Sequence, residues 1–115
     1  MRFMVMHYQT QAMEDGVRPS PEVQAAIGEY MQEAAMSGVL LTGEGVAPSS
    51  EGARVEVVDD SVRVIDGPFA EAKEMIGGFF ILTCETRAQA IALAEECPAA
   101  RWASVEVREL GPCFE

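Results

Sequence analysis

The acid–base potential of this sequence concentrates at a few positions: His7, Glu44, Asp66, and Glu71, Lys73 and Glu74. His7 is the single histidine. With an ordinary pKa of about 6.5, a neutral imidazole there can act as a general base near pH 7, oriented by Asp66 or Glu44 if the fold brings one within reach. A strand-end histidine is equally well satisfied by a backbone group or water. Asp66 precedes Gly67-Pro68, and an Asp in that position caps a turn through its own side chain as readily as it does chemistry. Phe69 then supplies an apolar anchor, with Glu71, Lys73 and Glu74 behind it as the polar rim of a pocket or as local charge pairs. Such pairs on a solvated turn are worth under about 1 kcal/mol each. The catalytic candidates are therefore His7 and Asp66, and the ligand-pocket candidates are Glu44, Phe69, Glu71, Lys73 and Glu74. No phosphate loop, nucleophile elbow, dinucleotide fingerprint or metal-ligand spacing is present in the sequence, so neither a cofactor nor a metal is expected.

The elements that must position these residues follow from hydrophobic periodicity. Phe3 to Tyr8 alternates with apolar residues on both faces, which predicts a central strand. Residues 9–19 are polar, contain Gly16 and Pro19, and read as a loop. Ser20-Pro21-Glu22 opens a helix with an N-cap, a first-turn proline and an acid. Val23, Ile27, Tyr30, Met31 and Ala34 keep helical spacing until Gly38 stops it. Gly28, inside that helix, lowers its stability and allows close packing. Val39 to Glu44 predicts a short strand, and a Gly-, Pro- and Ser-rich loop runs on to Gly52. Arg54–Val58 and Val62–Ile65 around Asp59-Asp60-Ser61 predict a β-hairpin.

The chain then turns at Asp66-Gly67-Pro68-Phe69, with one short helical turn expected before Gly77-Gly78. Phe79 to Cys84 is a second strand apolar on both faces. Thr86 with Gln89 makes a capping box, and Ala90, Ile91, Ala94 and Cys97 mark one face of a helix closed by Pro98. Ser104 to Leu110 alternates strictly and reads as an edge strand.

This order predicts an α+β fold, a ferredoxin-like βαββαβ sheet with an inserted β-hairpin and two helices on one face. The first and third core strands would be central, the two segments that read as apolar on both faces. Two helices leave the other face of the sheet open. A second copy of the chain packed sheet to sheet would cover it, so a homodimer is expected. The 115 residues suit one domain spanning 1–115.

Acidic residues outnumber basic ones 19 to 8, for a net charge of −11. Such a surface repels phosphate backbones and anionic membranes, so direct nucleic-acid or membrane partners are not expected. Apolar runs are too short to span a bilayer, and no signal peptide is legible. The odd cysteine count, Cys84, Cys97 and Cys113, points to free structural thiols in a reducing compartment, hence a cytoplasmic protein.

The run Asp66-Gly67-Pro68-Phe69-Ala70-Glu71-Ala72-Lys73-Glu74 resembles the DGPF signature of the YCII-related proteins. So do the opening Met1-Arg2-Phe3-Met4-Val5-Met6, the passage from Gly38-Val39 to Gly43-Glu44-Gly45, and Ser104-Val105-Glu106-Val107-Arg108. The resemblance extends over essentially the whole chain and implies a dimeric α+β barrel of ferredoxin-like units. It further implies kinship with small lyases and isomerases, and an association of DGPF domains with extracytoplasmic-function sigma factors. Shorter members of the wider family carry a His near the start of the first helix and an Asp near the end of the second, proposed as a catalytic pair. Here those places read Ser20-Pro21-Glu22-Val23 and Glu95-Glu96-Cys97-Pro98, so the pair does not carry over. Close DGPF-type sequences usually have an apolar residue at the position of His7, which sets this chain apart.

Three functional readings follow. The first is a homodimeric small-molecule-binding or accessory protein without established catalysis. The second is a cofactor-independent lyase or isomerase using His7 with an acidic partner. The third is a protein-interaction module in regulation beside an extracytoplasmic-function sigma factor.

Overall fold

A computed structural model describes residues 1–69 and 76–112. In chain order the elements are β1 (Arg2–Tyr8), α1 (Gln11–Glu14), α2 (Pro21–Met36), β2 (Leu40–Gly45), a 3-10 turn at Ser49–Glu51, β3 (Ala53–Val58) and β4 (Ser61–Asp66). They continue with β5 (Ile76–Thr83), α3 (Arg87–Glu95), α4 (Ala99–Trp102) and β6 (Val105–Glu109). A four-stranded antiparallel sheet has the order β2-β5-β1-β6, and β3 and β4 form a separate two-stranded sheet. This is the expected ferredoxin-like arrangement with an inserted hairpin. β1 and β5 are central, and β6 lies at an edge.

Register decides which side chains meet the helices. Phe3 pairs with Leu82, Val5 with Phe80 and His7 with Gly78 on one flank, and the same three pair with Glu109, Val107 and Val105 on the other. Phe3, Val5 and Leu82 are almost fully buried and join Phe80, Cys84, Ala90, Ala94, Cys97 and Ala99 in one core. Alanines at 90 and 94 let α3 approach the sheet closely, while α2 brings Ile27, Tyr30 and Met31 against the same core. Tyr30 joins the two helices: its ring stands edge-on to Phe80 with centroids 5.9 Å apart, and its hydroxyl donates to the Leu93 carbonyl at 2.5 Å. The opposite face carries Met4, Met6, Phe79 and Ile81, paired across β1 and β5 and left partly exposed.

The helix starts follow their caps. Ser20 Oγ accepts from Val23 N with Pro21 at the first position, and Thr86 Oγ1 accepts from Gln89 N at 3.1 Å. The Gln89 side chain reaches back to Glu85 N at 2.9 Å, one residue earlier than a capping box strictly requires. Gly38, at φ +83°, ends α2 in the left-handed region. Asp59 and Asp60 both have positive φ, as a two-residue type I′ hairpin turn demands.

Two short stretches differ from their sequence reading: α4 adds a helical turn beyond Pro98, where the helix was expected to close, and another turn falls in the first loop. Within residues 9–19, expected as loop, Gln11–Glu14 makes a single helical turn. Thr10 caps it, its hydroxyl accepting from Met13 N at 3.3 Å, and no glycine or proline intervenes before Gly16. Local side-chain capping thus overrode the polar composition. Among the described residues, no helix is long and apolar enough to cross a membrane.

Candidate functional site

His7 ends the run of inward-facing residues on β1, just where the β1–β5 register shifts between His7 and Tyr8. Two glycines, Gly77 and Gly78, lie beneath its ring. A Cβ on Gly78 would come within 2.5 Å of His7 Nε2, and one on Gly77 within 2.7 Å of Cε1 and 2.9 Å of Nδ1. No other residue type leaves room for the imidazole in this position. Burial lowers the His7 pKa below its ordinary value, because desolvation disfavours the charged form. At pH 7 the ring is a neutral imidazole, with one nitrogen donating and the other free to accept.

The ring borders a cavity of about 310 Å³ between the sheet and α2, with Ile27, Met31, Phe80, Cys97 and the Gly43–Gly45 backbone among its walls. Gly43 packs closely here as well: a Cβ on it would come 2.7 Å from the Met31 methyl, which would have to move aside, and 3.1 Å from the Phe80 Cβ. Burial pushes the Cys97 thiol up, and backbone N–H groups of Ala99 and Ala100 only partly oppose this, so it stays protonated and a poor nucleophile. The cavity is thus an apolar chamber with one imidazole on its floor.

Glu44 also borders this cavity. Its register partner is Phe79, whereas His7 pairs with Gly78, so Glu44 and His7 belong to opposite faces of the sheet. What Glu44 brings near the ring is its main-chain carbonyl oxygen, 3.0 Å from the point where a Gly78 Cβ would stand. Among the described residues, the imidazole has no hydrogen bond to a carboxylate.

The Asp66–Phe69 corner lies elsewhere. Asp66 ends β4 in register with Ala53, is exposed, and is not among the described residues lining the His7 cavity. Gly67 packs so tightly on the Ser49 carbonyl that a Cβ would collide with it, and its N–H donates to the Gly52 carbonyl at 2.9 Å. The Gly67–Pro68 peptide is cis. Phe69 N–H donates to Ser49 Oγ at 3.2 Å, and the Arg54 guanidinium sits 4.6 Å above the Phe69 ring centre, a cation–π contact. Ser49 in turn donates its N–H to both carboxylate oxygens of Glu14, at 3.1 and 3.0 Å, and its hydroxyl contacts Glu14 Oε1. A second cavity of about 320 Å³ opens here between Glu14, Val46, Pro48, Ser49, Phe69 and Ile76. The remaining candidates, Glu71, Lys73 and Glu74, and Cys113 as well, lie outside the described residues.

The structure therefore brings the Glu44 main chain, but not its carboxylate, to the surroundings of His7, and Phe69 to a second cavity. It does not bring Asp66 to His7. The sequence reading missed Gly43 and the Glu14–Ser49 pair; the one local signal was a Gly-Gly pair inside an otherwise bulky strand, which marks a close approach. Among the described residues, no group of three or more His, Cys, Asp or Glu side chains is placed to hold a metal ion.

Strand order, helix placement and a ligand-sized cavity between them define a ferredoxin-like α+β domain. The chain belongs to the YCII-related domain family, whose model matches residues 1–113. No curated protein matches the sequence significantly. Among solved structures, the chain is similar to a 5-chloro-2-hydroxyhydroquinone dehydrochlorinase from Burkholderia phenoliruptrix, in complex with 2,5-dihydroxybenzoquinone. The TM-score is 0.57 over 96% of this chain and 94% of that one, at 16% sequence identity. At that identity the likeness speaks to the fold alone.

Proposed function

We propose that this YCII-related protein binds a small molecule in the cavity beside His7, with the imidazole as its polar anchor. The observation that carries the reading is a neutral, half-buried imidazole, bedded on Gly77-Gly78, opening into an apolar chamber of about 310 Å³. That volume lies at the lower end of small-molecule sites and suits a single ring or a short branched chain. Apolar walls supply the affinity, and one imidazole fixes the orientation of a ligand hydroxyl or carboxylate.

A second reading, acid–base catalysis by His7, draws support from the same neutral ring and from a structural neighbour that is an enzyme. In it, His7 takes a proton from a bound substrate and returns it at another atom or loses it to water, as a lyase or isomerase requires.

The homodimer belongs to this proposal. Its support is the partly exposed row of Met4, Met6, Phe79 and Ile81 on the sheet face away from the helices. Sedimentation velocity would show a dimer at micromolar concentration that Met6→Glu dissociates; a wild-type monomer would contradict it. A cytoplasmic location is proposed on the two buried free thiols, Cys84 and Cys97.

The neighbour's ligand, 2,5-dihydroxybenzoquinone, is a suitable first probe. Titrated into labelled protein, it should shift the His7 imidazole and Met31 methyl resonances, and His7→Ala should weaken binding at least tenfold with an unchanged melting curve. Binding of equal strength in His7→Ala would overturn the reading.

A further inference from the structure

Gln9 lies two residues beyond His7, past the register shift that ends the regular β1–β5 ladder. Its side-chain oxygen Oε1 is buried and has no hydrogen-bond partner among the described residues. A buried carbonyl left in that state is rare, and a donor nearby is the usual resolution. The point above Gly77 where a Cβ would stand is 2.7 Å from Gln9 Cγ, 2.7 Å from His7 Cε1 and 2.9 Å from His7 Nδ1. The Gln9 side chain and the Nδ1 edge of the imidazole therefore crowd the same spot. The other edge is different. Nε2 lies over Gly78, by the same point as the Glu44 carbonyl; Glu44 and Gly45 border the cavity, whereas Gln9, Gly77 and Gly78 do not.

We propose that Gln9 is the positioning residue for His7: its Oε1, unpartnered as the side chain stands, turns to accept the Nδ1–H of the imidazole and so fixes the tautomer with an unprotonated Nε2 toward the cavity. The bond costs the ring nothing on its working edge, because a neutral imidazole carries one N–H and one lone pair. With Nδ1 holding the proton, the lone pair on Nε2 faces the ligand, where it accepts a hydrogen bond from a hydroxyl or takes its proton. Without Gln9, an acceptor on the other edge is the Glu44 main-chain carbonyl, which shares with Nε2 the space above Gly78. That partner would draw the proton to Nε2 and leave the lone pair on the buried edge. The site would then offer a donor in place of an acceptor. The proposal rests on the reading of His7 as the anchor of the cavity, and its test needs no ligand.

Because His7 is the only histidine in the chain, a long-range proton–nitrogen correlation spectrum of histidine-labelled protein contains one imidazole. Recorded above pH 7, it should show a protonated Nδ1 and an unprotonated Nε2, with the Nδ1 proton exchanging slowly enough with water to be seen. Folded Gln9→Leu should shift the ring toward the Nε2–H tautomer, and Gln9→Glu should restore Nδ1–H. An Nε2–H tautomer in the wild type would overturn the proposal, as would an Nδ1–H form unaltered in folded Gln9→Leu. If Gln9→Leu does not fold, the wild-type spectrum decides: a slowly exchanging Nδ1 proton supports the bond, and one lost to rapid exchange refutes it. A wrong tautomer alongside a loss of ligand binding in His7→Ala would refute the role of Gln9 and leave that of His7 standing.

Discussion

His7 and Gly78 share space that only a glycine leaves free: a methyl group at residue 78 would come within 2.5 Å of Nε2 and 3.0 Å of the Glu44 carbonyl oxygen. The ring can swing aside, but the backbone carbonyl cannot follow as cheaply. Gly78→Ala should therefore displace the imidazole and cost about 1–3 kcal/mol, the usual penalty for overpacking. Urea denaturation measures the cost, and the chemical shifts of the single imidazole report the displacement.

Gly28 behaves oppositely. A Cβ there would meet nothing within 4 Å, in the middle of α2, so the close packing expected at this glycine is absent. Gly28→Ala should raise stability by about 0.5–1 kcal/mol by restricting the unfolded chain. A higher urea midpoint with an unchanged slope is the expected result.

The Asp66–Phe69 corner should prove structural before it proves chemical. Ser49 is the hub that ties Glu14, the 3-10 turn and Phe69 together. Ser49→Ala removes the hydroxyl's bonds to both and should cost about 1–3 kcal/mol. Gly67→Ala, which drives a methyl into the Ser49 carbonyl, should cost at least as much. Asp66→Asn, at an exposed strand end, should stay within about 0.5 kcal/mol of wild type. Thermal melts of the three variants order them.

Two groups tie stability to pH in opposite directions. The Tyr30 hydroxyl is held up to about 12 from its ordinary 10.0, first by burial and then by the nearby Cys97, Glu96 and Cys84. The folded state then keeps a proton that the unfolded state releases, so this stabilisation is complete below pH 10 and is lost as pH rises toward 12. His7 is lowered by burial, so the unfolded state binds the proton first. Its contribution is present above the ordinary value of 6.5 and falls as pH drops below that value toward the lowered one. Tyr30→Phe should flatten the alkaline limb and cost about 1 kcal/mol through the lost bond to Leu93. His7→Gln should flatten the acid limb between pH 6.5 and the lowered value.

Much of the fold was legible because local and global signals agreed. Ser20-Pro21, Thr86 and Gly38 mark helix ends through caps and left-handed geometry that depend only on neighbouring residues. The central strands were legible because burial on both faces leaves continuous apolar runs such as Phe79–Cys84. The site was harder to see. Which carboxylate meets His7 depends on register, and pairing Glu44 with Phe79 instead of Gly78 puts it on the far face. Ser49 and Glu14 are separated by 35 positions in the chain, and nothing local signals their meeting. Gln9 does lie in the loop after β1, as read, but nothing in its own neighbours signals that its Oε1 is buried there.

The central claim, that the cavity beside His7 is a ligand site, is tested most directly by screening monocyclic acids and alcohols against methionine-methyl- and histidine-labelled protein. Met31 and His7 both line the cavity, from opposite walls, and Gly43→Val should fill it from a third. Hits should shift Met31 and His7 together and vanish in folded Gly43→Val. Hits that leave both residues unmoved, or that persist in folded Gly43→Val, would contradict the claim.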